Sequence, residues 1–274
     1  MIQLISCLYA FILTLLFVVL FFCAGIGFGV LNSRSISRNI NESNYYNKVY
    51  EELYAKASRE MDEVGFPQDV LKEVITFDRV YISSKNYLEA TLNSEAVVIK
   101  TDRLKEELKQ NLDQYLKAKG VVRSDKINTE IDHLITIIEE DYKAAIRLPL
   151  LPSIMKYRTI FLSAMMYVIP ILVLLVSVFC YFLLRRHHYI HRGLRFIAYA
   201  VISASSLILA IAGYLMMTRA YKAVAAEPEY YQNFVRMHLR WDITVFLYIG
   251  GLGLILALVL ISLISYLKNR MKNN

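Results

Sequence analysis

The chain has 274 residues, of which 56% are hydrophobic and only five are proline, and its formal net charge is +7. Its apolar residues fall in four blocks, each long enough to cross a bilayer, which excludes a soluble protein and predicts an all-α, multi-pass membrane protein. The segments 185–195 and 268–274 hold seven Lys and Arg residues and no acid, so they carry the whole surplus charge. This distribution predicts the lipid bilayer as partner and no nucleic acid.

The first block, residues 2–31, is predicted to be transmembrane helix 1. We interpret it as an uncleaved anchor rather than a signal peptide, because it lacks a basic start and its apolar run is too long. Gly25 and Gly29 lie four residues apart and predict a helix-packing face, as do Ser206 and Ala210 in the third span.

Residues 32–156 are predicted to form a mainly helical extracytoplasmic domain, inserted between spans 1 and 2 and free of cysteine. Apolar residues recur at three- and four-residue steps from Tyr45 to Val64, after caps at Asn41 or Ser43. A second helix is expected from Pro67 to Phe77, and residues 78–98 are left open between helix and strand. Two further helices are expected after caps at Thr101 and Ser124.

The long stripes between residues 102 and 147 have two interpretations. A self-contained bundle would bury them internally, whereas a coiled pair or oligomer seam would bury them against a second chain. The partner predicted for residues 32–156 is accordingly another protein or a second copy of this chain.

Three more spans follow. Pro149 and Pro152 are expected to break the helix that precedes these spans. The three spans are predicted at 159–184, with Pro170 inside, at 196–217 and at 243–267. Residues 218–242 are expected to be an extracytoplasmic loop whose aromatic side chains lie at headgroup depth, among them Tyr230, Tyr231, Phe234 and Trp241.

The basic segments determine the predicted orientation. A short loop at 185–195 and a tail at 268–274, both purely basic, favour the cytoplasmic side, so both termini are predicted inside and residues 32–156 outside. Localisation is then a plasma membrane, and the cysteine-free exported domain favours a bacterial one. Contact with anionic lipid is predicted for Arg185, Arg186, Arg192, Arg195, Lys268, Arg270 and Lys272.

The sequence contains no motif typical of a catalytic, cofactor-binding or metal-binding site, so we predict no enzyme, no cofactor and no metal. Cys7, Cys23 and Cys180 match no metal or redox spacing and are expected to pack as small apolar residues. His187, His188 and His191 lack further ligands and are interpreted as part of the basic loop. The spans hold no ionisable residue well inside, which disfavours a stand-alone transporter.

Two functions are consistent with this pattern. The first is a non-enzymatic scaffold or regulator whose exported domain binds a protein or cell-envelope partner. The second is a subunit of a transport machine, because one span, a large outer domain and three further spans resemble, in topology, the FtsX and MacB type of ABC-transporter membrane subunit. That resemblance implies an ATPase docked on the loop between spans 2 and 3, but the loop at 185–195 is short for a coupling helix.

Overall fold

Helices account for 85% of the residues that the structure describes. A computed structural model describes residues 2–121, 124–148, 151–187 and 189–273, although the side chains of Ile2 and of residues 271–273 lie outside the description. Within these ranges there is no strand, which confirms the all-α prediction. The α-helices are α1 Ile2–Phe28, α2 Ser33–Glu42, α3 Tyr45–Glu63, α4 Phe77–Leu92, α5 Asp102–Ala118, α6 Asp125–Ile146, α7 Leu151–Arg186, α8 Ile190–Met217 and α9 Glu229–Asn273.

The chain divides into two compact units. The membrane unit comprises Met1–Ile36, Lys156–Ala225 and Val235–Asn274, and the helical domain comprises Ser37–Met155 and Ala226–Phe234. Four helices are long and apolar enough to cross a membrane, namely α1, α7, α8 and α9. The prediction of four spans is therefore confirmed by length and composition.

The helical domain buries the stripes that the sequence predicted. Helix α6 packs against α3, α4 and α5, so the stripes of α5 and α6 are covered within one chain. This arrangement agrees with a self-contained bundle, and Ser124 caps α6 by accepting a hydrogen bond from the Ile127 amide. The buried stripe of α5 consists of Leu104, Leu108, Leu112 and Leu116, and that of α6 includes Ile131, Leu134, Ile135, Ile138, Tyr142 and Ile146.

Several local predictions for the domain were wrong. The cap of α3 is Asn44, not Asn41 or Ser43. Thr101 does occupy the N-cap position of α5, as predicted, but its hydroxyl makes no capping bond and donates to Glu139. In place of the helix expected from Pro67 to Phe77, the structure has only a 3₁₀ turn, Gln68–Leu71. Thr76 is extended and caps a new helix that begins after it. That helix, α4, resolves the stretch left open at 78–98 as helical through Leu92.

The start of α9 belongs to the helical domain rather than to an interfacial aromatic belt. Helix α9 already begins at Glu229, which places Tyr230, Tyr231 and Phe234 on one buried face. The Tyr230 ring packs edge-on against Tyr45 at 5.7 Å between centroids. The expectation of an extracytoplasmic loop over 218–242 is therefore replaced by a largely helical segment.

The membrane unit has a core to which all four long helices contribute. Helix α1 packs along α8, and the core draws Leu13 and Phe17 from α1, Leu183 from α7 and Ala257 from α9. Small residues of α8 allow this close approach, among them Ala200 and Ala204. Pro170 lies inside α7 without ending it, whereas Pro152 occupies the first turn of that helix, where no intrahelical donor is needed. Pro149 lies outside the described residues.

Candidate functional site

A groove opens at the end of the helical domain where α3 ends and α6 begins. It consists of two adjoining cavities of about 530 and 520 Å³, which share Val64 and Glu130 as lining residues. Val64 follows the last turn of α3 and remains 44% exposed, because Gly65 with φ of 81° turns the chain away immediately after it. The apolar floor of this α3–α6 groove is formed by Val64, Phe66, Leu116, Val121, Ile127, Ile131, Leu134 and Ile137.

The rim of the α3–α6 groove is acidic. Glu60 and Glu63 come from the last turns of α3, and Glu130 comes from the second turn of α6. None of the three forms an ion pair with a residue in the described ranges. Lys119 also lies on the rim, with its ammonium group 5.9 Å from the centroid of the Tyr115 ring. The groove therefore combines an apolar floor with an edge on which three acidic residues outnumber one basic residue.

A buried polar network outside the groove connects α5 to α6. Glu139 of α6 is only 8% exposed and accepts a hydrogen bond from Thr101 at 2.6 Å, before the start of α5. Its carboxylate also pairs with Lys143, one turn along α6, and with Lys105 of α5 at 3.2 Å. These contacts, led by Lys143 and then Thr101, lower the pKa of Glu139 to about 2. The network therefore fixes α5 against α6 through a carboxylate that is ionised at neutral pH.

The predicted helix-packing residues separate into two pairs. Gly25 and Gly29 are buried, and both face α9: a Cβ at Gly25 would overlap the Phe246 ring, and one at Gly29 would lie 3.2 Å from Asp242 Oδ1. Ser206 and Ala210, by contrast, lie on the exposed face of α8. Among the small residues that α8 turns inward is Ser205, whose side chain faces Gly253 of α9. Ser206 and Ala210 could pack only against another molecule.

The predicted lipid-contacting residues gather at one end of the membrane unit. Arg185 and Arg186 end α7, Arg192 and Arg195 lie in the first turns of α8, and Lys268 and Arg270 lie near the end of α9. All six are exposed, and Lys268 is close enough to act electrostatically on His191. The start of α1 is also at this end, because Ser6 Oγ lies 3.1 Å from His187 Nε2. The side chain of Lys272 lies outside the description.

One pair of polar residues in the membrane unit escaped the sequence analysis. Asp242 of α9 is 5% exposed, and neither carboxylate oxygen has a hydrogen-bond partner among the described residues. His238 lies one turn earlier, with Nε2 3.9 Å from Asp242 Oδ2 and 3.2 Å from the Val30 carbonyl oxygen. The signal that could have found this pair is the four-residue spacing of His238 and Asp242, which places them on one helix face.

The remaining candidate ligands do not converge. The described residues contain no group of three or more His, Cys, Asp or Glu side chains placed to hold a metal ion. His187 stacks on Phe196, with the centroids 5.4 Å apart, and His188 lies outside the described residues. Cys7, Cys23 and Cys180 are free thiols.

Comparison of the chain with protein-family models, with curated proteins and with solved structures gives no match.

Proposed function

We propose that this chain is a non-enzymatic membrane scaffold or regulator whose helical domain binds a partner protein in the α3–α6 groove. The observation that carries the proposal is an apolar floor with three glutamates on its rim, Glu60, Glu63 and Glu130, which form no ion pair within the described part of the chain. Complementary charge suppresses wrong partners and speeds encounter, while apolar burial supplies affinity. The partner segment is therefore basic and amphipathic, most simply a helix laid into the groove.

The proposed orientation has both termini in the cytoplasm and residues 32–156 outside, in a plasma membrane that we assign to a bacterium. Its support is the basic end of the membrane unit, where three helix ends carry Arg185, Arg186, Arg192, Arg195, Lys268 and Arg270. Such clusters are retained on the cytoplasmic side and attract anionic headgroups. The groove would then recruit a partner that acts outside the cell membrane.

A transport subunit is less well supported than a scaffold. An ATPase would need an inner segment on which to dock, but α7 ends at Arg186 and α8 begins at Ile190, which leaves only a short connection. The buried pair of Asp242 and His238 is the feature that a transport function could use, because ionisable residues in membrane helices commonly serve ion or proton transfer.

The test replaces Val64 with a photo-crosslinking amino acid in the full chain, irradiates intact cells and identifies the captured peptide by mass spectrometry. Val98, which is exposed and lies outside the groove, receives the same group as the matched control. We expect a single dominant product from position 64, mapped to a basic, amphipathic segment. Charge reversal of Glu60, Glu63 and Glu130 to Lys should reduce its yield at least tenfold.

Two results would overturn the proposal. One is the same set of products from positions 64 and 98, which would mean that the groove selects nothing. The other is a stoichiometric ATPase in the complex purified in mild detergent, which would favour the transport subunit. A product at twice the mass of the chain would instead identify the partner as a second copy, provided that charge reversal abolishes it.

A further inference from the structure

A third cavity in the helical domain has a lining of a different kind from that of the α3–α6 groove. It measures about 280 Å³ and lies where α2 ends and where α3 and α4 begin. We call it the Asn–aromatic pocket. Its lining consists of three asparagines and three aromatic residues, Asn41, Asn44, Asn47, Tyr46, Phe77 and Tyr81.

The asparagines are positioned by the turn between α2 and α3. Asn41 lies in the last turn of α2, Asn44 precedes α3 in a left-handed conformation with φ of 58°, and Asn47 lies one turn further on. Asn47 Nδ2 donates to Asn44 Oδ1, and Ser43 Oγ donates to the Ile40 carbonyl at 2.8 Å, which closes the turn. In the described part of the chain, Asn41 and the other amide atoms of Asn44 and Asn47 make no further bond. They can therefore donate to and accept from a ligand.

The aromatic residues of the pocket are held in place by contacts between their rings. Phe77 is 37% exposed, and its ring is stacked on Tyr81 with 23° between the planes and 6.0 Å between the centroids. Tyr46 is only 6% exposed and packs edge-on beneath Tyr81 at 4.9 Å, while Tyr50 packs edge-on against Phe77 at 6.0 Å. The partly exposed Phe77 ring is thus held in place by its neighbours and offers an apolar surface that costs little conformational entropy when a ligand binds.

None of the residues that line the pocket is charged. Lys85 lies 5.9 Å from the centroid of the Tyr81 ring and forms an ion pair with Glu89 at 4.0 Å. A charged ligand would therefore lose hydration without gaining an opposite charge. A peptide side chain would leave most of the amide groups unpaired. A ligand ring with several hydroxyl groups at its edge can form hydrogen bonds with the asparagine side chains. The C–H bonds on the face of the same ligand ring can pack against the aromatic side chains.

We infer that the Asn–aromatic pocket binds a neutral saccharide, with one sugar ring packed against Phe77 and its hydroxyl groups bonded to Asn41, Asn44 and Asn47. The volume is close to the lower end of the roughly 300–1,000 Å³ of typical ligand pockets, which fits a single sugar residue at the end or within a chain. This site goes beyond the peptide-binding groove and does not depend on it.

The test uses the full chain in non-ionic detergent that lacks a sugar headgroup, and saturation-transfer NMR with four probes. These are the methyl glycosides of glucose, galactose, mannose and N-acetylglucosamine, and glucuronic acid serves as the charged control. We expect transfer to the ring protons of at least one neutral probe and none to glucuronic acid. Phe77→Ala should abolish the transfer, and Asn47→Ala should weaken binding about tenfold.

Tyr115→Ala is the matched control, because Tyr115 is an aromatic residue that lines the groove instead of this pocket. It should leave saccharide binding unchanged. If Phe77→Ala unfolds, Asn41→Ala and Asn47→Ala decide the matter, since both side chains are exposed. Absence of transfer to all four neutral probes, or equal transfer in the pocket variants and Tyr115→Ala, would overturn the inference. Neither result bears on cross-linking from Val64, so the two proposals fail separately.

Discussion

At the scale of single residues, buried polar groups distinguish the two units. Glu139 is buried but fully paired, with Thr101, Lys105 and Lys143 around its carboxylate. Asp242 is buried without a hydrogen-bond partner among the described residues, which is costly for a carboxylate and is tolerated mainly where a site needs it. The first arrangement stabilises the helical domain, whereas the second leaves a buried carboxylate of the membrane unit beside His238, at 3.9 Å.

Glu139 makes the stability of the chain depend on acid pH. Its pKa falls from 4.5 to about 2 in the folded domain, so its contribution is complete above about pH 4.5 and is lost as the pH falls toward 2. We therefore expect Glu139→Gln to lower the thermal unfolding midpoint at pH 7, and the difference from wild type to shrink between pH 4.5 and pH 3.

Circular dichroism of the full chain in detergent measures this effect. Glu140→Gln is the matched control, because Glu140 is the adjacent residue of α6 and is exposed. Its unfolding midpoint should follow the wild type at every pH. A Glu139→Gln deficit that persists unchanged at pH 3 would contradict the assignment of the low pKa to this network.

At the scale of helices, packing in the membrane unit depends on where small residues face. Without a hydrophobic driving force between apolar helices in lipid, close contact between them relies on shape. Gly25 lets α1 reach the Phe246 ring of α9, and Gly253 lets α9 accommodate Ser205 of α8. The neighbouring Gly27 has open space around it, so proximity in sequence does not decide which glycine matters.

This contrast predicts opposite effects at two glycines of α1. Gly25→Ala should destabilise the membrane unit by about 1–3 kcal/mol, since the added methyl group must displace the Phe246 ring. Gly27→Ala should be neutral or stabilising by up to about 1 kcal/mol, because alanine favours a helix and meets no neighbour. Thermal unfolding of both variants in the same detergent measures the difference. Equal midpoints would show that α1 does not pack on Phe246 as described.

At the scale of the whole molecule, the side of the membrane on which the helical domain lies determines which partners it can bind. The proposed arrangement places the α3–α6 groove and the Asn–aromatic pocket outside the cell, where envelope proteins and glycans are available. The opposite arrangement would offer cytoplasmic partners to the same surfaces. Orientation is therefore the property on which both binding proposals depend for their biological partners.

Cysteine labelling in intact cells measures the orientation. A thiol introduced by Lys109→Cys on α5 should react with a membrane-impermeant maleimide, because residues 32–156 are proposed to lie outside. A thiol introduced by Asn269→Cys near the end of α9 should react only after the cells are permeabilised. The parent chain, with Cys7, Cys23 and Cys180, gives the background. The reverse pattern of labelling would invert the proposed topology.

The sequence by itself determined the all-helical fold, the four long apolar helices and most buried stripes, because helical periodicity and span length are local properties. The leucines of α5 are an example. Only the tertiary structure decided that Tyr230 joins the domain core at Tyr45, and that Asp242 is buried beside Gly29. It also placed Val64 and Glu130 together in the lining of the groove, and Asn41 and Phe77 together in the lining of the pocket. These contacts join residues far apart in the chain, so no periodicity predicts them, and it is such contacts that form the α3–α6 groove and the Asn–aromatic pocket.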